Sequence, residues 1–184
     1  MKYITLLIAL TITAFMVSMP RSVFAMEKEA GGAAHIASFG ALLVDKRVVH
    51  LKAYLASHGS PIAAEAHTFI READRNNLDW RLVAAIAGTE STFGKHIPRN
   101  SYNAWGWGIP TGARSGVGFK DWEEGIAAVS EGLRKNYIDR GATSLVQIGQ
   151  IYAASPAWPA HVGFFLQKIA EFDPVTPDFL DVTI

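Results

Sequence analysis

The chain has 184 residues, no cysteine, and 17 basic and 17 acidic residues, so its formal net charge is zero. The absence of cysteine excludes a disulfide framework and thiolate chemistry. A balanced charge argues against nucleic acid as a partner, because phosphate binding depends on clustered positive charge. The six histidines are scattered and no pair has the spacing of a zinc site, so we expect neither a metal nor another cofactor.

The N-terminus has the pattern of a secretory signal peptide. Lys2 provides a positive start, residues 3–19 form a nearly unbroken apolar run, and Ala25 is a small residue suited to cleavage after it. An uncleaved membrane anchor is the alternative, because the apolar run is close to spanning length. In both cases we expect an exported protein of the periplasm, the cell wall or the extracellular space.

Hydrophobic spacing predicts a mainly α domain of five or six helices. In residues 41–56, apolar side chains recur at i, i+4, i+7 and i+11, which is typical of one face of an amphipathic helix. Ser60 and Pro61 have the residue types of an N-cap and a first helical position, and they start the second helix. Asp79 is placed to cap the third helix.

Residues 92–120 interrupt this helical pattern. They have no sustained period and are rich in glycine, so we expect a small irregular lobe there. Asp121 opens a fourth helix, Thr143 or Ser144 opens a short fifth, and Trp158 opens the last. The patterns divide the chain into four parts: a signal segment (1–25), a flexible leader (26–40), one domain (41–173) and an extended tail (174–184).

Glu90 is the first candidate for a catalytic residue. It is spaced i+8 from Leu82 and i+4 from Ile86 on the third helix, so we expect its carboxyl to continue a buried row. Burial penalises the anion, and a carboxyl with a raised pKa can protonate the leaving oxygen of a glycosidic bond. The alternative is a helix-end carboxylate that bonds a loop amide or pairs with Lys95.

The loop after this helix has residue types that suit a sugar. Trp105 and Trp107 are two residues apart, and in an extended chain their indoles would point the same way. The alternative is that both indoles anchor the core. Between Ser91 and Lys120 there is no Asp or Glu, so this lobe does not supply the second carboxylate that glycosidases normally use.

Three segments, in this order, resemble motifs of the lysozyme-like superfamily of soluble lytic transglycosylases and bacterial glucosaminidases. Residues 86–94 (IAGTESTFG) are similar to its Glu-Ser motif, and residues 103–108 (NAWGWG) to the Asn-x-Phe/Trp-Gly segment of the glucosaminidase branch. Residues 151–158 (IYAASPAW) resemble the later Tyr-Ala/Asn-x-x-Pro motif of both branches. The resemblance implies a lysozyme-like fold with a cleft between two lobes, and cleavage of the β-1,4 glycan strands of peptidoglycan. We expect a monomer.

The resemblance also implies a role for each matching residue. Glu90 is expected to be the general acid, and Tyr152 to place an aromatic hydroxyl near the reacting centre. Ser91 is expected to steady the acid or the substrate, and Asn103 to place an amide near the sugar. Three indoles are expected to form walls of the sugar subsites: Trp105, Trp107 and Trp158. Trp158, which starts a helix, has a core position as its alternative.

The sequence is compatible with two reactions and with two non-enzymatic functions. A lone acid allows closure by the sugar's own 6-hydroxyl, which gives an anhydro end, or attack by water, which gives a reducing end. The lack of acids in the lobe favours the first reaction, whereas the segment 103–106 resembles the hydrolytic branch. Two non-enzymatic alternatives are a glycan-binding protein that keeps the cleft without activity, and a secreted module whose 41–56 helix docks a partner.

Overall fold

The computed structural model describes residues 45–108 and 116–174. Within these residues the regular structure is helical, with no β-strand, which confirms the predicted mainly α class. Six α-helices are present there: α1 Lys46–Ser57, α2 Ala66–Arg75, α3 Leu82–Ser91, α4 Trp122–Asn136, α5 Leu145–Tyr152 and α6 Trp158–Glu171. Short 3-10 helices precede α2 (Ala63–Glu65) and follow α4 (Ile138–Arg140).

Some of the predicted segments lie outside this described part of the chain. They are the signal segment, the leader, the first residues of the 41–56 helix, and the tail beyond residue 174. Among the helices of residues 45–108 and 116–174, none is long and apolar enough to cross a membrane.

Several helices begin where polar side chains satisfy free backbone N–H groups. The Asp121 carboxylate accepts a hydrogen bond from the Glu124 N–H at the start of α4. At the start of α5, Ser144 and Gln147 form a capping box, in which each side chain bonds the other residue's backbone N–H. The predicted starts of α4 and α5 are therefore confirmed, with Ser144 rather than Thr143 as the cap.

Two predicted helix starts differ from the structure. The Ser60 hydroxyl accepts the Ile62 N–H, but the segment first forms a 3-10 helix and becomes α-helical only at Ala66. Asp79 accepts the Arg81 N–H and so caps a turn that precedes α3, which begins at Leu82. In both cases the polar side chain accepts a backbone N–H, as an N-cap does, but the chain makes one tight turn before the α-helix begins.

Helix α3 forms the centre of the core and fixes the position of Glu90. Residues 82–88 are all buried, as expected for a helix that is apolar around its whole circumference. The helix packs along α6, and α2 packs against α4. Because α3 is enclosed over two turns, its C-terminal end is held firmly against the neighbouring elements.

A left-handed turn ends α3 directly after the Glu-Ser pair. Thr92, Phe93 and Gly94 have φ values of 52°, 59° and 83°, so two non-glycine residues adopt the left-handed region. The Phe93 N–H donates to the Ala87 carbonyl, and the Phe93 ring is fully buried. Burial of the Phe93 ring offsets the cost of this backbone strain. The left-handed turn itself directs the chain from α3 into the irregular lobe.

Candidate active site

Glu90 lies in the last turn of α3 with its two carboxyl oxygens in different surroundings. Oε1 accepts a hydrogen bond of 2.7 Å from the indole N–H of Trp158. Oε2 faces Gly106, since a methyl group placed on that glycine would lie 3.4 Å from it. One oxygen is thus held by α6, and the other faces the main chain of the lobe.

The surroundings of Glu90 favour its protonated form. The residue is exposed, contrary to the predicted buried row, but protein atoms crowd its carboxyl. Partial loss of water raises the pKa of Glu90 above its usual value, and the hydrogen bond from Trp158 opposes this by stabilising the anion. The alternative partner, Lys95, instead donates to the His58 carbonyl at 2.8 Å. The predicted direction of the pKa shift is therefore confirmed.

An aromatic cavity of about 350 Å³ lies next to Gly106, the residue that faces Oε2 of Glu90. Its lining consists of two glycines and three aromatic residues: Gly106, Trp107, Gly108, Tyr137 and Tyr152. The ring of Trp107 lies 6.0 Å from that of Tyr137 and 5.8 Å from that of Tyr152, measured between centroids. Flat aromatic faces with hydroxyl groups at their edges suit a ligand that is apolar on its faces and polar at its rim.

Tyr152 supports this cavity as a neutral phenol. Its hydroxyl donates to the Trp105 carbonyl at 2.7 Å, and its ring stacks on Trp158 with centroids 4.9 Å apart. Burial, followed by the negative charge of Glu90 and the neighbouring Tyr137, raises the pKa of Tyr152 well above its usual value. A phenol that stays protonated cannot accept a proton as a base, which limits the predicted catalytic role of Tyr152 to orientation and hydrogen bonding.

Asn103 organises the main chain of the lobe. Its amide NH₂ donates to the carbonyls of Trp107 and Val117, both at 2.9 Å, and its carbonyl accepts the N–H groups of Trp105 and Trp107. The residue is only 4% exposed and its polar atoms are already engaged. The prediction that this amide contacts a sugar is therefore corrected: Asn103 shapes the loop that forms the cavity.

Ser91, which was predicted to steady the acid or the substrate, and Trp105, which was predicted to form a subsite wall, are both buried and do not line the cavity. The Ser91 hydroxyl is buried and donates to the carbonyls of Ala87 and Ala104 while accepting the Gly94 N–H. Trp105 is fully buried, and its indole N–H donates to the Val83 carbonyl. Ser91 thereby fastens the lobe to the end of α3, and Trp105 anchors the lobe in the core.

The two indoles of the lobe do not point the same way. Gly106, which separates them, has a φ of 61°, so the chain turns between Trp105 and Trp107 and is not extended. Trp107 is half-buried and lines the cavity, as expected of a subsite wall. Trp158 is 3% exposed and presents its N–H to Glu90, so it is not the open subsite wall that was expected.

The sequence patterns did not single out two further residues at the cavity. Tyr137 follows the last turn of α4, where its place on the apolar face of the helix by itself predicts a core residue. Gly132 lies under the Trp107 ring, since a methyl group at this glycine would lie 2.2 Å from Cζ2 of the indole. Both residues reach the cavity because α4 lies close to the lobe, and the sequence alone does not show this approach.

Comparison with known proteins does not assign a family or an activity to this site. No family model matches the chain, and no curated protein matches it significantly. Among the described residues, no group of three or more His, Cys, Asp or Glu side chains is arranged to hold a metal ion.

Proposed function

We propose that this chain is an exported enzyme that cleaves the β-1,4 glycan strands of peptidoglycan, with Glu90 as its general acid and base and a lysozyme-like fold. The observation that carries the proposal is the position of Glu90 beside the aromatic cavity. A carboxyl whose pKa is raised by its surroundings faces Gly106, which lines a cavity of about 350 Å³ together with Trp107, Tyr137 and Tyr152. This pairs a proton donor with a surface suited to sugar rings.

The chemistry requires two proton transfers, the first from Glu90 to the substrate and the second from the attacking group back to Glu90. Protonated Glu90 donates to the glycosidic oxygen while the bond between this oxygen and the anomeric carbon breaks, leaving oxocarbenium character on the sugar. Either water or the sugar's own 6-hydroxyl then attacks that carbon and returns a proton to the Glu90 carboxylate. The first route gives a reducing end and the second an anhydro end. The neighbouring N-acetyl group can stabilise the positive charge that a second carboxylate would otherwise stabilise.

The charges near the site support a mechanism with a single carboxylate. No Asp or Glu occurs between Ser91 and Lys120, so the lobe that faces Glu90 provides no second acid. Loss of water raises the pKa of Glu90, the hydrogen bond from Trp158 opposes this rise, and no other carboxylate of the described residues contributes to the shift. A general acid that acts with help from the substrate itself fits this arrangement better than a pair of carboxylates.

Digestion of purified peptidoglycan followed by mass analysis tests the proposal. The wild-type chain should release muropeptides, and an 18 Da deficit, the mass of one water, would identify anhydro ends. Glu90→Gln should reduce the release rate by about 100- to 10,000-fold, because an amide cannot transfer the proton. Glu123→Gln is the matched control: its side chain is 61% exposed and belongs to α4, and the release rate should be unchanged.

Two outcomes would contradict the proposed activity. The first is no release by the wild-type chain across the pH range in which it is folded, and the second is undiminished release by Glu90→Gln. Retention of the wild-type chain on peptidoglycan without any release would instead favour the non-catalytic glycan-binding protein.

A further inference from the structure

The contact between Trp158 and Glu90 joins residues that are 68 positions apart in the sequence. Trp158 begins α6, whereas Glu90 is in the last turn of α3, so the contact depends on the packing of these two helices. Within the described residues, the Trp158 side chain makes no other hydrogen bond, and the residue is 3% exposed. A buried indole N–H usually requires a partner, and here that partner is the candidate acid.

The Trp158 ring packs against two residues of α5, Tyr152 and Gly149, so its N–H has a fixed direction. One face stacks on Tyr152 at an interplanar angle of 25°, and Tyr152 is itself tied to the lobe through the Trp105 carbonyl. On α5, Gly149 lies against the ring, since a methyl group there would lie 3.0 Å from Cε3 of the indole. The donor is therefore positioned before any ligand arrives, which avoids reorganisation during the reaction.

An indole N–H can only donate a hydrogen bond, so the oxygen that it contacts must offer a lone pair. In the protonated acid, the proton is therefore favoured on the other oxygen, Oε2. That oxygen faces Gly106, a residue of the cavity lining that has no side chain to cover it. We propose that Trp158 is a positioning residue that holds Oε1 of Glu90 and thereby assigns the transferable proton to Oε2, on the cavity side.

The same hydrogen bond stabilises the carboxylate that remains after the proton has left. A hydrogen bond to a charged acceptor is roughly twice as strong as one between neutral groups, so the contact strengthens as negative charge develops on Glu90. Trp158 thus favours proton donation without touching the sugar. The assignment of Trp158 as the partner of the carboxyl stands on the contact alone, whereas its effect on turnover depends on the proposed function.

An NMR titration of the full chain tests the contact without any substrate. With ¹³C-labelled Glu and ¹⁵N-labelled Trp, the Trp158 indole N–H should shift with pH at the midpoint of the Glu90 carboxyl, and this shift should be lost in Glu90→Gln. Trp105 is an internal control, because its indole N–H donates to a main-chain carbonyl and should not follow this titration. A Trp158 resonance that does not follow Glu90 would overturn the proposal.

Trp158→Phe removes the N–H and keeps an aromatic ring for the stack on Tyr152. The pKa of Glu90 should rise, because the group that stabilised its anion is gone while the crowding of the carboxyl remains. The loss of a hydrogen bond to a charged group predicts a kcat lower by about 10- to 100-fold, with little change in KM. The high-pH limb of the activity profile should move to higher pH.

Trp80→Phe is the control for the same chemical change at a distance. Trp80 precedes α3 and packs on His50, away from Glu90, so the pKa of Glu90 should be unchanged. An unchanged or lowered pKa in Trp158→Phe would overturn the proposed role. If the NMR titrations agree but no muropeptides are released, the positioning contact stands and the proposed enzymatic function fails. If muropeptides are released but the NMR titrations do not show the contact, the proposed enzymatic function stands and the positioning role of Trp158 fails.

Discussion

At the scale of single residues, the raised pKa of Glu90 predicts that ionisation of this residue lowers the stability of the domain at neutral pH. Its pKa in the folded protein is raised, so the folded state holds this proton more tightly than the unfolded chain does. The stabilising contribution is fully present below the pKa of the unfolded chain and is lost as the pH rises through the raised pKa. The carboxylate that takes part in the proposed reaction therefore reduces the free energy of unfolding.

Glu90→Gln should consequently be at least as stable as the wild-type protein at pH 7. The amide avoids the cost of ionisation, and its oxygen can still accept the Trp158 N–H. The difference in the free energy of unfolding should shrink as the pH falls from the raised pKa of Glu90 towards about 4.5, the usual pKa of a glutamate, and should be small below that pH. Urea unfolding at several pH values measures this difference. Glu123→Gln should not increase the free energy of unfolding at pH 7, because an acidic residue in the first turn of α4 stabilises the helix.

Asn103 has its effect through main-chain hydrogen bonds. Asn103→Ala removes four of them and leaves the carbonyls of Trp107 and Val117 without this donor, so we expect a loss of about 2–4 kcal/mol in the free energy of unfolding. Urea unfolding measures the loss. Asn136→Ala is the control, since this exposed asparagine ends α4 and should change stability by less than about 0.5 kcal/mol. An Asn103→Ala variant as stable as the control would restore the idea of a ligand-contacting amide.

At the scale of elements, α4 approaches the lobe through two glycines that are two turns apart. A methyl group at Gly125 would lie 2.7 Å from Cζ3 of Trp105, and one at Gly132 would lie 2.2 Å from Cζ2 of Trp107. The first glycine accommodates an indole of the core and the second an indole of the cavity. Helix α4 thus sets the position of a cavity wall although only Tyr137, the residue after its last turn, lines the cavity.

Gly132→Ala should tilt the Trp107 ring and thereby slow muropeptide release. The steric cost of about 1–3 kcal/mol exceeds the gain of up to about 1 kcal/mol that alanine brings to a helix, so stability should also fall. Gly163→Ala in α6 is the matched control, because its methyl group would meet only Leu145, at 3.8 Å. This substitution should raise the free energy of unfolding by about 0.5–1 kcal/mol. Urea midpoints and release rates should separate the two variants. An equal gain in both would mean that Trp107 does not pack on α4.

At the scale of the whole molecule, the sequence predicts the helices better than the site. The helical period and the caps at Asp121 and Ser144 are local features, and the structure confirms them. Contacts between distant segments leave no local pattern. The period places Glu90 on the face of α3 that Ile86 buries, but it cannot show that α3 emerges from the core before Glu90, which is therefore exposed.

The lobe shows the same limit for a different reason. Trp105 and Trp107 have the same residue type and similar neighbours, yet one is a core anchor and the other lines the cavity. The positive φ at Gly106 decides this difference, and glycine permits such a turn without requiring it. The partnership of Trp158 with Glu90 was likewise beyond prediction, because it depends on how α6 docks on α3.

The docking of α6 also has a consequence for the order of events during folding. Of the described helices, α6 is the last to leave the ribosome, and it carries the donor that Glu90 needs. The contact joins residues 68 positions apart, so its formation requires closure of a long loop, which costs entropy. A nascent or partly folded chain therefore contains Glu90 without its oriented proton. The docking of α6 on α3 brings the two together, so competence for the proposed chemistry depends on this docking.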